Sequence, residues 1–310
     1  MQILKIRLKN VRFIQDATLS FDHSTCFVGK EPKDTQDLLD ACGFMAAVAL
    51  RQETAWLERE EWQLSDFWFE QDVEAKPEFV VDAQLADKKY ARWRCVYDLE
   101  KQQRLNETLW ISETPNFGED AMPSQESEDM SLLQNLLGVF AAPEEHTYDI
   151  FVDPVKRWPF LSRLTIMVDS MTYEAKEMLL EGMRPFFPGI KRLWVRYWPD
   201  EDKSFFYAVD GRRVGERAMT SADRKIMDII VWLLNEDDPV LLRKVDDCQP
   251  EERYPVMAQS IRRAKKQVIL TTDNPNFADC LEWAKVNHVF HKEDNSVGVS
   301  CPCTTKAEVR

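Results

Sequence analysis

The run from Thr25 to Arg51 constrains this chain more tightly than any other. An apolar strand, Thr25–Val28, leads into Gly29-Lys30-Glu31-Pro32-Lys33-Asp34-Thr35-Gln36. A helix is expected from there over Asp37–Arg51, apolar at Leu38, Leu39, Cys42, Phe44, Met45, Val48 and Leu50. Strand, loop and helix in that order are the scaffold of a phosphate-cradling loop, G-x-x-x-x-G-K-[ST]. In such a loop the second glycine lets the backbone approach phosphates, the lysine reaches the outer phosphates and the hydroxyl holds magnesium. Only Gly29 survives. Asp34 stands at the second glycine position, Thr35 at the lysine position and Gln36 at the hydroxyl position. The context fits such a site and the side chains do not.

Around this unit the chain reads as an α/β protein with a flanking antiparallel sheet. Residues 2–9 alternate as a half-buried strand, and Ala17–Phe21 is a second. Phe79–Leu85, Tyr90–Asp98 and Glu107–Ser112 read as three antiparallel strands with tight polar turns. Residues 105–155 contain no Lys or Arg but eleven Asp and Glu. Their Pro, Ser and Gly content at 114–129 predicts a flexible loop, either a solvated insertion or an acidic docking segment. Leu132–Phe140 is a short helix, Leu164–Val168 a strand and Thr172–Phe187 an amphipathic helix. Lys191–Trp198, Phe205–Asp210 and Arg212–Val214 are strands, with Asp210-Gly211 as a hairpin turn. Ser221–Asn235, Pro255–Lys266 and Asn276–Ala284 are helical, and Val240–Val245, Gln267–Thr271, Val286–Phe290 and Val297–Ser300 are strands. Trp56, Trp62, Trp68 and Phe69 sit in one acidic stretch, either as core under the antiparallel strands or as an interface.

A formal charge of −14 argues against wrapping nucleic acid with the whole surface. Seven scattered cysteines show no secreted-scaffold spacing, so a reducing, cytoplasmic setting is expected. Cys301-Pro302-Cys303 with His288 and His291 could be counted as a metal cluster, but no second cysteine pair completes four ligands. The alternating, charged N-terminus is no signal peptide, and no apolar run reaches membrane-spanning length.

Six segments in order give the chain a family resemblance. Ile3–Phe13, the run Leu38-Leu39-Asp40-Ala41, the strands at 78–112, Thr220-Ser221-Ala222-Asp223-Arg224, Asp238–Leu242 leading to Asp246-Asp247, and Val268–Pro275 carry it. Together they resemble the ATP-binding-cassette heads of the SMC, RecF and overcoming-lysogenisation-defect class, in a version without a long coiled coil. The resemblance implies an ABC-ATPase-like P-loop fold, with a mixed or parallel core sheet, helices on its faces and an antiparallel β arm. It implies one head over 1–310, made of a phosphate-loop lobe (1–54), a β arm with an acidic insertion (55–160) and a C-terminal lobe (161–310). Ser221, Ala222 and Asp223 then take the signature position, Asp246 the magnesium position, Asp247 the water-polarising position and Asp273 the switch position.

The departures from that family carry the functional expectation. Pro32 removes an N–H donor from a cradle built of such donors. Glu31 and Asp34 place carboxylates near phosphate oxygens, and like charges about 4 Å apart repel by roughly 4 kcal/mol at an effective dielectric near 20. Ala222 replaces a glycine, and Asp273 replaces a histidine that contacts the γ-phosphate. The expectation is a catalytically inactive head without ATP or magnesium, acting as a scaffold or partner-binding subunit. It would pair with itself or with an active ATPase or nuclease subunit, in a bacterial anti-phage or DNA-maintenance complex. A second reading is a divergent nucleotidase that uses Lys30 or Lys33 with magnesium on Asp246. A third is a DNA-binding accessory protein using Lys191-Arg192, Arg212-Arg213 with Arg217, and Arg262-Arg263 with Lys265-Lys266.

Overall fold

A computed structural model describes residues 1–68, 74–85, 88–115, 117, 122–124, 127–141, 168–197, 203–215, 218–234, 239–292 and 296–300. The chain divides into two compact units. The first takes 1–143, 237–245 and 266–310, and the second takes 144–236 and 246–265.

The first unit holds two sheets. β1 (Gln2–Val11), β2 (Ile14–Ser20), β4 (Glu78–Gln84), β5 (Tyr90–Asp98), β6 (Gln103–Ser112) and β7 (Met122–Pro123) form an antiparallel sheet in the order β2-β1-β4-β5-β6-β7. The strands expected as a separate arm therefore pair directly onto the N-terminal hairpin, with Ile6 opposite Val81 and Leu8 opposite Phe79. β3 (Ser24–Gly29), β11 (Val240–Leu242), β12 (Val268–Thr272), β13 (Lys285–His291) and β14 (Val297–Ser300) form the second sheet, ordered β11-β12-β3-β13-β14. All of its pairs are parallel except β13 with β14. Gln267 ties the two sheets, because its side chain accepts the Ile3 N–H at 2.8 Å and donates to the carbonyls of Ile3 and Asp22 at 2.7 and 3.1 Å.

α1 (Pro32–Leu50) is the core element, buried along nearly its whole length. From Ala41 to Leu50 it is apolar on every side, and such a helix belongs inside a protein. Phe44 is fully buried and stacks on Phe67 at 4.3 Å between ring centroids, with Tyr97, Trp56 and Phe79 around it. A buried helix end needs partners for its last carbonyls. Arg104 supplies one for Val48 while gripping Glu53 with Nη2, and Gln134 of α3 (Ser127–Ala141) supplies one for Ala49. Trp56, on α2 (Glu53–Arg59), is buried, and Trp62 and Trp68 pack against the same core. The stretch is therefore core; Phe69 lies outside the described residues.

The second unit contains α4 (Tyr173–Met183), an antiparallel sheet of β8 (Ile190–Tyr197), β9 (Lys203–Val209) and β10 (Arg212–Gly215), α5 (Ser221–Leu234) and α6 (Tyr254–Arg262). Thr172 caps α4 by accepting the Ala175 N–H. Asp210 and Gly211 both take positive φ, as the predicted hairpin turn requires.

Several boundaries differ from expectation: the strand expected from Glu107 starts at Gln103, the helix expected over Pro255–Lys266 ends at Arg262 and the one expected over Asn276–Ala284 ends at Asp279. α1 starts at Pro32, five residues earlier than Asp37, because proline suits a first helical position and Asp34 caps the entry. β11 ends at Leu242 instead of Val245, since Lys244 turns to φ +43° and leaves the ladder. Residues 168–170 are helical where a strand was expected to end. The irregular stretch 143–159 lies outside the described residues, and of the loop expected over 114–129, residues 127–129 are instead the start of α3, Met122–Pro123 form β7, and 116, 118–121 and 125–126 lie outside the described residues. Among the described residues no helix is long and apolar enough to cross a membrane.

Candidate functional site

Parallel register gathers the site. Thr272 of β12 pairs with Val28, and Val289 of β13 pairs with Gly29, so Asp273 and His291 leave their strands beside the end of β3. The carboxyl ends of parallel strands are where α/β sheets bind ligands. Gly29 is needed there: a Cβ on it would come within 2.8 Å of the Glu31 carbonyl and 3.2 Å of Asp273 Oδ1.

The loop itself is short. Five of the eight motif positions, 32 to 36, lie inside α1, leaving only Lys30 and Glu31 between strand and helix. Asp34 Oδ2 accepts the N–H groups of both residues, at 2.9 and 3.0 Å. These are donors that a phosphate loop would offer its ligand, and here an internal carboxylate holds them. Asp34 Oδ1 lies 2.6 Å from His291 Nδ1, and His291 Nε2 lies 3.1 Å from Asp37 Oδ2. Asp37 pairs with Arg12 at 3.0 Å, and Arg12 Nη1 lies 3.2 Å from Asp40 Oδ2, outside good hydrogen-bond alignment. Asp34, Asp37 and Asp40 recur every three residues and so share one face of α1. All three are buried, as is Arg12, whose guanidinium also sits 4.0 Å from the Trp62 ring centre.

The remaining loop positions are also engaged. Thr35, at the lysine position, donates its hydroxyl to Asp273 at 3.1 Å. Gln36, at the hydroxyl position, donates to Asp40 at 2.8 Å. Lys30 and Lys33 are exposed, and Lys33 Nζ lies 5.1 Å from the Phe13 ring centre. Sequence reasoning brought Gly29, Thr35 and Asp273 together and missed Arg12, Asp37, Asp40 and the role of His291. The three-residue spacing of the acids was the available signal, since buried helical carboxylates demand a cation.

Electrostatics split the acids. Burial pushes Asp34 up, but hydrogen bonds from the Glu31 N–H, His291 and the Lys30 N–H outweigh it and leave its carboxyl below the usual range. Burial lifts Asp40 to about 6 against the pull of Arg12 and Gln36, and the charge of Asp37 adds to the rise. A raised carboxyl means that the folded state holds the proton more tightly than the unfolded chain. Asp40 therefore favours folding at acid pH, and that contribution is lost as pH rises through about 6. Asp40→Asn carries no such proton, so its stability relative to wild type should improve between pH 5 and pH 7.5. Of the roughly two-unit rise from 3.8 to about 6, only about one unit falls between pH 5 and pH 7.5, so the gain over that range is about 1.4 kcal/mol at 1.36 kcal/mol per unit. Thermal melts of both proteins across that range measure it; a difference flat with pH would contradict the assignment.

The other motif segments lie in the second unit. Ser221 opens α5, where Thr220 accepts the Asp223 N–H; Ala222 gives its carbonyl to Gln249 at 2.9 Å, and Asp223 pairs with Arg253 at 2.8 Å. Asp246 and Asp247 stand in the turn over 243–248 that follows β11. Asp247 is mostly exposed, with Lys225 Nζ 3.8 Å from its carboxylate. Cys301 and Cys303 lie outside the described residues, and His291 is held by the two aspartates. At the positions of a phosphate loop, Asp34 holds two backbone N–H groups, Thr35 stands where the lysine would be and Gln36, at the hydroxyl position, is an amide bound to Asp40.

No family model matches the chain, and no curated protein matches it. Solved structures do. An SMC head bound to the C-winged helix domain of ScpA superposes with a TM-score of 0.65 at 14% identity, covering 97% of this chain and 98% of that one. The fold is that of an SMC head. A head domain from Thermotoga maritima matches at TM-score 0.58 and 10% identity, over 97% and 99% of the two chains. A third head, with an extended coiled coil and bound to the C-terminal domain of ScpA, derived from Pyrococcus furiosus, matches at 0.59 and 11%, over 96% and 95%. The ABC-ATPase-like P-loop fold expected from the six segments is thus the observed one, and in this chain the loop at the phosphate-loop position is closed on its own aspartate.

Proposed function

We propose that this head does not turn over ATP and serves as a scaffold or partner-binding subunit, pairing with itself or with an active ATPase or nuclease subunit. One observation carries the reading: the Asp34 carboxylate holds the N–H groups of Lys30 and Glu31. A triphosphate would have to displace that carboxylate from its two donors and from His291, and then sit beside its negative charge. Asp273 on Thr35 adds a second carboxylate at the same strand ends. The protein-partner half of the proposal is supported by two similar heads, each of which is bound to a domain of ScpA.

Calorimetry with ATP and magnesium tests it. The expected result is no binding tighter than about millimolar, which corresponds to about −4 kcal/mol. Micromolar binding that disappears in Asp246→Ala would overturn the proposal. Phosphate release abolished by both Lys33→Ala and Asp247→Ala would establish the divergent nucleotidase instead.

A further inference from the structure

The three strands of the second unit carry charge of the opposite sign to the chain. β8, β9 and β10 contain Lys191, Arg192, Arg196, Lys203, Arg212 and Arg213 and no Asp or Glu, in a protein of net charge −14. Register sorts them onto faces. Arg192 lies opposite Ala208, which lies opposite Arg213, so the two arginines share a face two strands apart, about 10 Å. In the next row, Trp194 lies opposite Phe206 and Phe206 opposite Gly215. The Trp194 and Phe206 rings stack, 5.7 Å between centroids and 13° apart, and the Arg192 guanidinium sits 5.8 Å from the Trp194 ring centre. Gly215 is what makes room, since a Cβ there would come within 2.9 Å of the Phe206 ring. Arg196 follows Trp194 on the same face. Arg192, Arg196 and Arg213 are exposed, and Trp194 and Phe206 half-buried. The opposite face, with Leu193 and Tyr207, is the buried one, and Phe187 packs on Tyr207.

We propose that this face, with Arg192, Arg196 and Arg213 around the stacked Trp194–Phe206 pair, binds single-stranded nucleic acid. Arginines at sheet spacing meet the phosphates, and the aromatic pair offers a stacking surface to unpaired bases. An acidic peptide would use the charge alone and leave the aromatic row without a role, and duplex bases are already stacked on one another. The acids nearest in sequence are Asp210, in the β9–β10 turn, and Asp200, Glu201, Asp202 and Glu216, which lie outside the described residues. None belongs to a strand of this sheet.

Fluorescence anisotropy of the full chain with a labelled 20-nucleotide oligothymidylate, over a salt series, tests the proposal. Binding is expected at low salt, weakened in Arg192→Glu and Arg213→Glu together with a shallower salt slope, by about 0.7 for each phosphate that is no longer neutralised. Trp194→Ala should lose roughly tenfold in affinity with the slope unchanged. Trp194→Phe should retain most of the affinity, and it serves as the control should the alanine variant fold poorly. Equal affinity in all variants, tighter binding of a duplex of the same sequence length, or capture of labelled polyglutamate in preference to the oligonucleotide would each overturn it.

Discussion

Arg12→Met is expected to cost about 3–5 kcal/mol of stability at pH 7.5, measured by urea denaturation. Arg12 is the cation between Asp37 and Asp40, at 3.0 and 3.2 Å, and all three side chains are at most 9% exposed. Removing it leaves two carboxylates on one buried helix face, with only His291 beside Asp37 and the charge of Arg243 acting on Asp40, which is the expensive way to break a buried ion pair. Methionine keeps much of the volume that lies over Trp62 and Phe67, so the loss reports mainly on charge. Two controls separate the causes. The penalty should shrink by pH 5, because Asp40 takes up its proton below about 6 and needs the guanidinium less. Adding Asp37→Asn and Asp40→Asn to Arg12→Met should recover half of the loss or more, since replacing a whole buried ion cluster costs far less than breaking it. A triple variant as unstable as the single one would assign the loss to packing against Trp62 and sink the electrostatic account.

The network explains what sequence reading could and could not see here. β1, β3, the antiparallel strands and the helices of the second unit were legible because their apolar periods are strong and their turns carry the right residues, Asp210-Gly211 above all. Gly29 and Asp273 were legible as neighbours at the strand ends. What the sequence did not disclose was that the loop would be shortened. Pro32 was counted as a lost N–H donor, whereas in the fold it is the first residue of α1. Asp34 was counted as a charge facing an absent phosphate, whereas it turns back to hold the two N–H groups of its own loop. Both readings used the right residues in an assumed geometry. His291 was out of reach for a different reason: it lies 257 residues from Asp34, and only the parallel pairing of β3 with β13 brings it there. Arg12 sits at φ +53° in the turn between β1 and β2, a local conformation that no period reveals.

Phe44→Ala is expected to cost about 3–5 kcal/mol as well, but with a different signature. Phe44 is fully buried in α1 one turn beyond Asp40, and its ring meets Phe67, Tyr97, Trp56 and Phe79 at once. Deleting it removes apolar burial and aromatic pairing and leaves a cavity that rigid neighbours fill poorly. Phe44→Leu should lose less, because it restores most of the volume. The Tyr97 phenol in that cluster, like the buried Cys95 and Cys42 thiols, is held by burial at about 12. The Phe44→Ala penalty should therefore stay constant from pH 5 to pH 8 in urea titrations, while the Arg12→Met penalty falls on the acid side. If both penalties moved together with pH, the aromatic core and the aspartate face of α1 would not be energetically separate. α1 would then have to be treated as one coupled element instead of a packed end and a polar end.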